Sequence, residues 1–186
     1  MGYGGNPYAS KFACEFIGTC MLVCVVQVAS SQAVEGFAPI AVGKGKKKRE
    51  RKERKKKKKG LILMNMVYAL GHISGAHFNP AVTVAILVRN IPQFPRHDTF
   101  NIFGYFMSQY LGGITGGFIA WSIGGHDTAY QWPHVQRDPG VPASGGEIWH
   151  VFQSELVFTF LLAFVVLNVA TDQRNSNNQF YGAAIG

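Results

Sequence analysis

Two acid–hydroxyl pairs draw attention because of where they sit. Glu15 precedes Thr19 by four residues, Glu155 precedes Thr159 by four, and a long apolar run follows each pair. Side chains four apart share one helix face, and an acid inside an apolar helix is a functional candidate by default, whether as a proton relay or as a fixed acceptor. Between the pairs lies Gly71-His72-Ile73-Ser74-Gly75-Ala76-His77-Phe78-Asn79-Pro80-Ala81-Val82-Thr83. Asn79 is a favoured helix N-cap, and Pro80 at the first helical position gives up only an N–H that would have been orphaned. His72 and His77 do not make a metal site, because no cysteine or third histidine stands at ligand spacing.

The elements that must position these residues are hydrophobic. Three stretches approach the ~20 residues that a bilayer core requires: Phe12 to Val34, Thr99 to Ile123, and Trp149 to Ala170. A fourth, Leu61 to Gly71, gives only about 16 Å of helix, roughly half a hydrocarbon core. The polar stretch His72 to Phe78 follows it, and then a half-length helix from Asn79 to Val88. A short apolar helix entered from a polar loop cannot cross a bilayer. It can dip in and return if its loop backbone is buried in protein or faces water. Gly124 to Gly146 reads as an aqueous loop and Thr171 to Gln179 as a polar turn. The chain is therefore expected to be an all-α membrane protein, multi-pass, with a re-entrant segment at residues 72–89.

The net charge of +8 misleads if it is spread over the chain. Lys44 to Lys59 holds thirteen Lys or Arg and two Glu, which leaves −3 for everything else. The run at 44–59 reads first as a mistranslated or low-complexity basic insertion and second as a polybasic segment for anionic lipid, with no nucleic-acid partner expected. Cys14, Cys20 and Cys24 all fall in the first span, so no disulfide framework is expected. The N-terminus lacks a basic cluster ahead of its apolar run, and the first span reads as retained.

The paired Glu-x-x-x-Thr openings suggest an internal repeat, the mark of channels and transporters built from two similar halves. Asn79 falls 64 residues after Glu15, so a second Asn-bearing half-helix would fall beyond Gly186.

The thirteen residues Gly71 to Thr83 strongly resemble the first Asn-Pro-Ala loop of the aquaporins, the major intrinsic protein family. The Glu-x-x-x-Thr pairs, Ser108-Gln109, Ala170-Thr171-Asp172 and Phe180-Tyr181-Gly182 fit the same family. The resemblance implies an aquaporin-like helical bundle, a single domain over residues 1–186 holding about four of the family's six membrane helices. It further implies a pore per subunit in a homo- or hetero-tetramer. Asn79, Pro80 and Ala81 would lie at the narrow midplane, and the carbonyls of Gly75, Ala76 and His77 would line the vestibule. Glu15, Gln109 and Glu155 would hold re-entrant loops in place. Gly112, Gly113, Gly116 and Gly117 form two overlapping small-xxx-small pairs, expected to allow close helix packing. Water and small neutral solutes such as glycerol would be the cargo, and membrane lipid the surroundings, with no reaction catalysed and no cofactor expected.

Two departures from the family pattern bear on function. The basic run falls where the resemblance places the outer half of the second span, with a constriction position on or next to Lys59. The fifth and sixth spans are missing, and with them a second Asn-Pro-Ala and its following Arg. An alternative expectation follows: a non-conducting half-channel that associates with complete relatives and regulates them.

Overall fold

The computed structural model describes residues 7–30, 61–91, 94–95, 98–124, 145–172 and 179–186. The insert at 44–59, the constriction position at Lys59, the end of the expected first span and most of the expected outer loop lie outside the described residues. What is described is helical, with no strand among these residues. The helices are α1 (Pro7–Ser30), α2 (Leu61–Ser74), α3 (Pro80–Arg89), α4 (Thr99–Gly124), α5 (Gly145–Val169) and α6 (Tyr181–Ile185).

Helix ends follow local chemistry. Asp98 caps α4 by accepting the Asn101 N–H at 3.1 Å, and Asn79 caps α3 by accepting the Ala81 N–H at 2.8 Å, with Pro80 at the first helical position. Asn90 closes α3 in the left-handed conformation, φ 55°, which Asn tolerates better than most residues. One boundary differs from the sequence expectation. α2 continues through His72, Ile73 and Ser74 instead of ending at Gly71, and the loop shrinks to residues 75–79. The Gly75 N–H still reaches the Gly71 carbonyl at 2.9 Å, and Gly75 then turns the chain out of the helix at φ 87°. The polar residues that suggested a loop are accommodated, because His72 faces outward and Ser74 finds a buried partner.

α1 and α4 form the backbone of the fold. Tyr8 meets Asp98, Phe12 lies on Gly104, the Phe16 backbone on Gly112 and the Cys20 backbone on Gly116. Residue numbers rise together on both sides, so the helices run parallel. A Cβ at Gly112 or Gly116 would fall 2.5 Å or 2.4 Å from the carbonyl oxygen of Phe16 or Cys20, so these two glycines are what permits the approach. Gly113 and Gly117, expected to share that role, do not share it against the described helices. Among the described residues a Cβ at Gly113 meets nothing within 4 Å, and at Gly117 only the Gln27 side chain at 3.8 Å. Neighbouring positions on a helix point about 100° apart, so only one pair can face α1. Cys14, Cys20 and Cys24 are buried and unbridged.

Two apolar clusters fix α3 and the loop beside this pair. Val82, Ile86, Phe94, Tyr105 and Val166 form one, joining α3, α4 and α5. Val67, Ala76 and Phe78 form the other, joining α2 to the loop with Tyr181 and Ile185 packed against it.

Among the described residues, two helices are both long and apolar enough to cross a membrane, within α1 (Tyr8–Val28) and α5 (Ile148–Val169). α4 is longer than either, at 26 residues. Its inward face carries Asn101, Gln109, which grips the loop, and Gly112 and Gly116, which admit α1, and they lower its apolarity. The expected third span is thus long enough but less apolar than a lone span.

Candidate functional site

The site is the loop at residues 75–79 and the helix it opens. Its backbone is unusual: Gly75, Ala76 and Phe78 all have positive φ, at 87°, 52° and 48°. For Ala and Phe that conformation costs on the order of 1–3 kcal/mol each and persists only where the surroundings enforce it. The surroundings here are hydrogen bonds from α1 and α4.

Glu15, fully buried on α1, is the centre of that network. Its Oε1 accepts from Ser74 Oγ at 2.7 Å and from the His77 N–H at 3.0 Å. Its Oε2 accepts from the Phe78 N–H at 2.7 Å and from Gln109 Nε2 at 2.8 Å. Four donors on two oxygens match what one carboxylate can accept. Ser74 Oγ also accepts the Ala76 N–H at 3.1 Å, so three successive loop amides are tied to side chains. One turn along α1, Thr19 Oγ1 donates to the Phe78 carbonyl at 3.3 Å. The Glu-x-x-x-Thr spacing therefore places an acceptor for the Phe78 N–H and a donor for the Phe78 carbonyl on one face of α1.

α4 supports the other side. Gln109 Nε2 also donates to Thr83 Oγ1 at 3.0 Å, which locks α3 to the same cluster. Thr83 Oγ1 lies 3.2 Å from His77 Nδ1 and 3.2 Å from the Asn79 carbonyl. The His77 ring is packed against Phe94 and Tyr105, with centroids 4.9 Å and 4.8 Å away. Tyr105 donates its hydroxyl to the Ser74 carbonyl. Thr19 stood out in the sequence by its spacing from Glu15; Ser74 and Thr83 lie in the Gly71–Thr83 motif but had no role of their own there, and Tyr105 had no signal.

What this scaffold leaves open is as informative as what it ties down. Among the described residues, no hydrogen bond reaches the carbonyls of Gly75, Ala76 and His77. Asn79 Oδ1 is spent on capping Ala81, while its Nδ2 donates to none of the described residues, so the amide N–H pair is available beside the N-terminus of α3. A row of three acceptors thus leads to a donor at the positive end of a helix. Pro80 and Ala81 follow as the first turn of α3, Pro80 exposed and Ala81 partly so.

Glu155 is placed differently from Glu15. It is exposed on α5 and, among the described residues, meets no loop. The structure brings Glu15 and Gln109 together at the site and leaves Glu155 apart. The α5 face that carries Glu155 is the one that packs on α3 further along, at Leu162 and Val166. His72 is exposed and His77 is held by Thr83, so the two histidines do not converge on one point.

A polar loop clamped between parallel apolar helices, opening a half-length helix at an Asn-Pro step, places this chain among the all-α membrane folds. The comparisons agree. Residues 6–186 match the major intrinsic protein family model, and the chain belongs to that family, whose members are integral membrane channels and not an enzyme class. It is 39% identical over 182 residues to nodulin-26 of Glycine max, covering 97% of this chain and 58% of that protein. It is 38% identical over 181 residues to aquaporin NIP1-1 of Zea mays, covering 97% and 55%, and 32% identical over 180 residues to aquaporin NIP1-2 of Arabidopsis thaliana, covering 97% and 55%. The chain thus spans a little over half the length of these relatives.

Proposed function

We propose that this chain supplies one half of the wall of a passive membrane channel for water and small neutral solutes such as glycerol. The observation that carries the reading is the row of unclaimed carbonyls at Gly75, Ala76 and His77, ending at the Asn79 amide. Backbone acceptors inside a membrane protein are tolerated only where water or protein satisfies them, and here the described residues satisfy their neighbours but not them. Water moving along the row would exchange its lost partners for carbonyls. At Asn79 and the α3 N-terminus it would meet donors and turn its oxygen toward them, which interrupts the hydrogen-bonded chain that protons need. Glu15 and Gln109 serve as scaffold, and Glu155 plays the corresponding part for a loop in the complementary half. Subunits gather as tetramers in lipid, each with its own path, and no reaction, metal or cofactor is involved.

The test is complementation. The 186-residue chain is co-produced with the segment of nodulin-26 that follows the matched region, and osmotic shrinkage of the vesicles is followed by stopped flow. The proposal expects water permeability well above that given by either piece alone, abolished by Asn79→Leu. Permeability equal to that of empty vesicles, with both pieces present in the membrane, would overturn it.

A further inference from the structure

Five consecutive carbonyls, from Ser74 to Phe78, pass through the site, and the fold treats them unequally. The Ser74 carbonyl accepts from the Tyr105 hydroxyl, and the Phe78 carbonyl accepts from Thr19 Oγ1 at 3.3 Å. The three between them accept from no described residue. Beyond them the Asn79 carbonyl is taken by the Thr83 N–H at 3.0 Å, the first bond of α3. The open row therefore begins and ends at a side-chain hydroxyl from another helix. Both hydroxyl residues are buried, Tyr105 at 0% exposure and Thr19 at 6%.

We infer that Tyr105 and Thr19 are positioning residues that set the length of the acceptor row, and through it the channel's preference among solutes. One donor does not exhaust a carbonyl, which has two lone pairs. A hydroxyl held by a packed side chain nevertheless fixes where the carbonyl points and puts protein in front of it. The Tyr105 ring is wedged among Phe12, His77 and Phe94, which keeps its hydroxyl from swinging away, and Thr19 is buried between α1 and the loop with its hydroxyl on the Phe78 carbonyl. Releasing the Phe78 carbonyl would add a fourth acceptor directly beside the Asn79 donor. Releasing the Ser74 carbonyl would add one at the far end. A solute that carries several hydroxyls, such as glycerol, senses row length more than water does, because it spans more than one acceptor at a time. The inference rests on the channel reading above.

The experiment uses Thr19→Val, which keeps the shape and removes the donor, with Thr19→Ser as the conservative rescue and Tyr105→Phe for the other end. Two readouts are taken. The first is the carbonyl signal of Phe78 by solid-state NMR on chain in bilayers, labelled with carbonyl-13C Phe and 15N Asn. That labelling reports only the Phe78–Asn79 and Phe100–Asn101 steps. The Phe78 signal should shift in Thr19→Val, return in Thr19→Ser and leave Phe100 in place. The second readout is the glycerol-to-water permeability ratio of the complemented assembly, expected to change by about two- to tenfold in Thr19→Val, the kinetic worth of one hydrogen bond, and to recover in Thr19→Ser.

A shifted Phe78 carbonyl with an unchanged ratio would overturn the inference, leaving Thr19 a structural residue only. An unshifted carbonyl would overturn it at the level of the bond. An unsubstituted assembly that passes no water would instead overturn the channel reading, a failure the carbonyl signal keeps distinct.

Discussion

The ring of Phe78 lies directly on the backbone of Gly18: a Cβ built at Gly18 would fall 2.1 Å from Phe78 Cε1. The contact joins α1 to the loop at the residue whose N–H goes to Glu15 and whose carbonyl takes the Thr19 hydroxyl. Three residues within one turn of α1 thus hold one residue of the loop, by shape, by an acceptor and by a donor.

Gly18→Ala should therefore displace Phe78 and disturb the whole loop. The ring is 2% exposed and has nowhere to retreat, so overpacking of about 1–3 kcal/mol is expected. Unfolding in detergent, followed by near-ultraviolet circular dichroism, reads the loss. Unchanged stability would mean that the ring can leave its seat without cost.

Glu15 and Glu155 share a sequence pattern but should respond to substitution very differently. Glu15→Gln leaves one oxygen where two served four donors, and puts an amide N–H pair against the rest. Two orphaned buried donors at about 1–3 kcal/mol each give a loss of about 2–6 kcal/mol. Glu155→Gln, at an exposed position, should change the stability of this chain by less than about 0.5 kcal/mol. Paired denaturation curves decide the matter, and equal losses for the two variants would contradict the assignment of the loop clamp to Glu15.

Much of this architecture is legible from the residues alone, and the parts that are not share a cause. The helical class follows from apolar run lengths, and the Asn79-Pro80 helix start follows from local capping chemistry, which needs no knowledge of distant partners. The end of α2 was misplaced because Ser74 looks like a loop residue until its partner Glu15, 59 positions away, is known. Tyr105 was unreadable for the same reason: a tyrosine among apolar residues at helical spacing reads as core, and its hydroxyl acquires meaning only from the Ser74 carbonyl. The glycines of α4 illustrate the converse. Spacing alone offers two equivalent pairs, and only the position of α1 selects Gly112 and Gly116.

That selection is itself testable. Gly116→Ala sets a methyl against the Cys20 carbonyl, where only backbone could yield, and should cost about 1–3 kcal/mol. Gly113→Ala meets no described residue and should be neutral or stabilising by up to about 1 kcal/mol, since Ala is the better helix former. Thermal unfolding of the two variants side by side provides the comparison, and a penalty at Gly113 as large as that at Gly116 would contradict the described packing of α1 on α4.

The central claim is that the carbonyls of Gly75, Ala76 and His77 face water inside the membrane. Water-edited solid-state NMR on the 186-residue chain in lipid bilayers measures this directly, by timing the transfer of magnetisation from mobile water to each residue. The account predicts transfer to Gly75, Ala76, His77 and the Asn79 amide as fast as to residues outside the bilayer, while Val82 and Ile86 in the adjoining core stay slow. Transfer to the loop as slow as to Val82 would mean a dry loop, and would contradict the channel-wall reading.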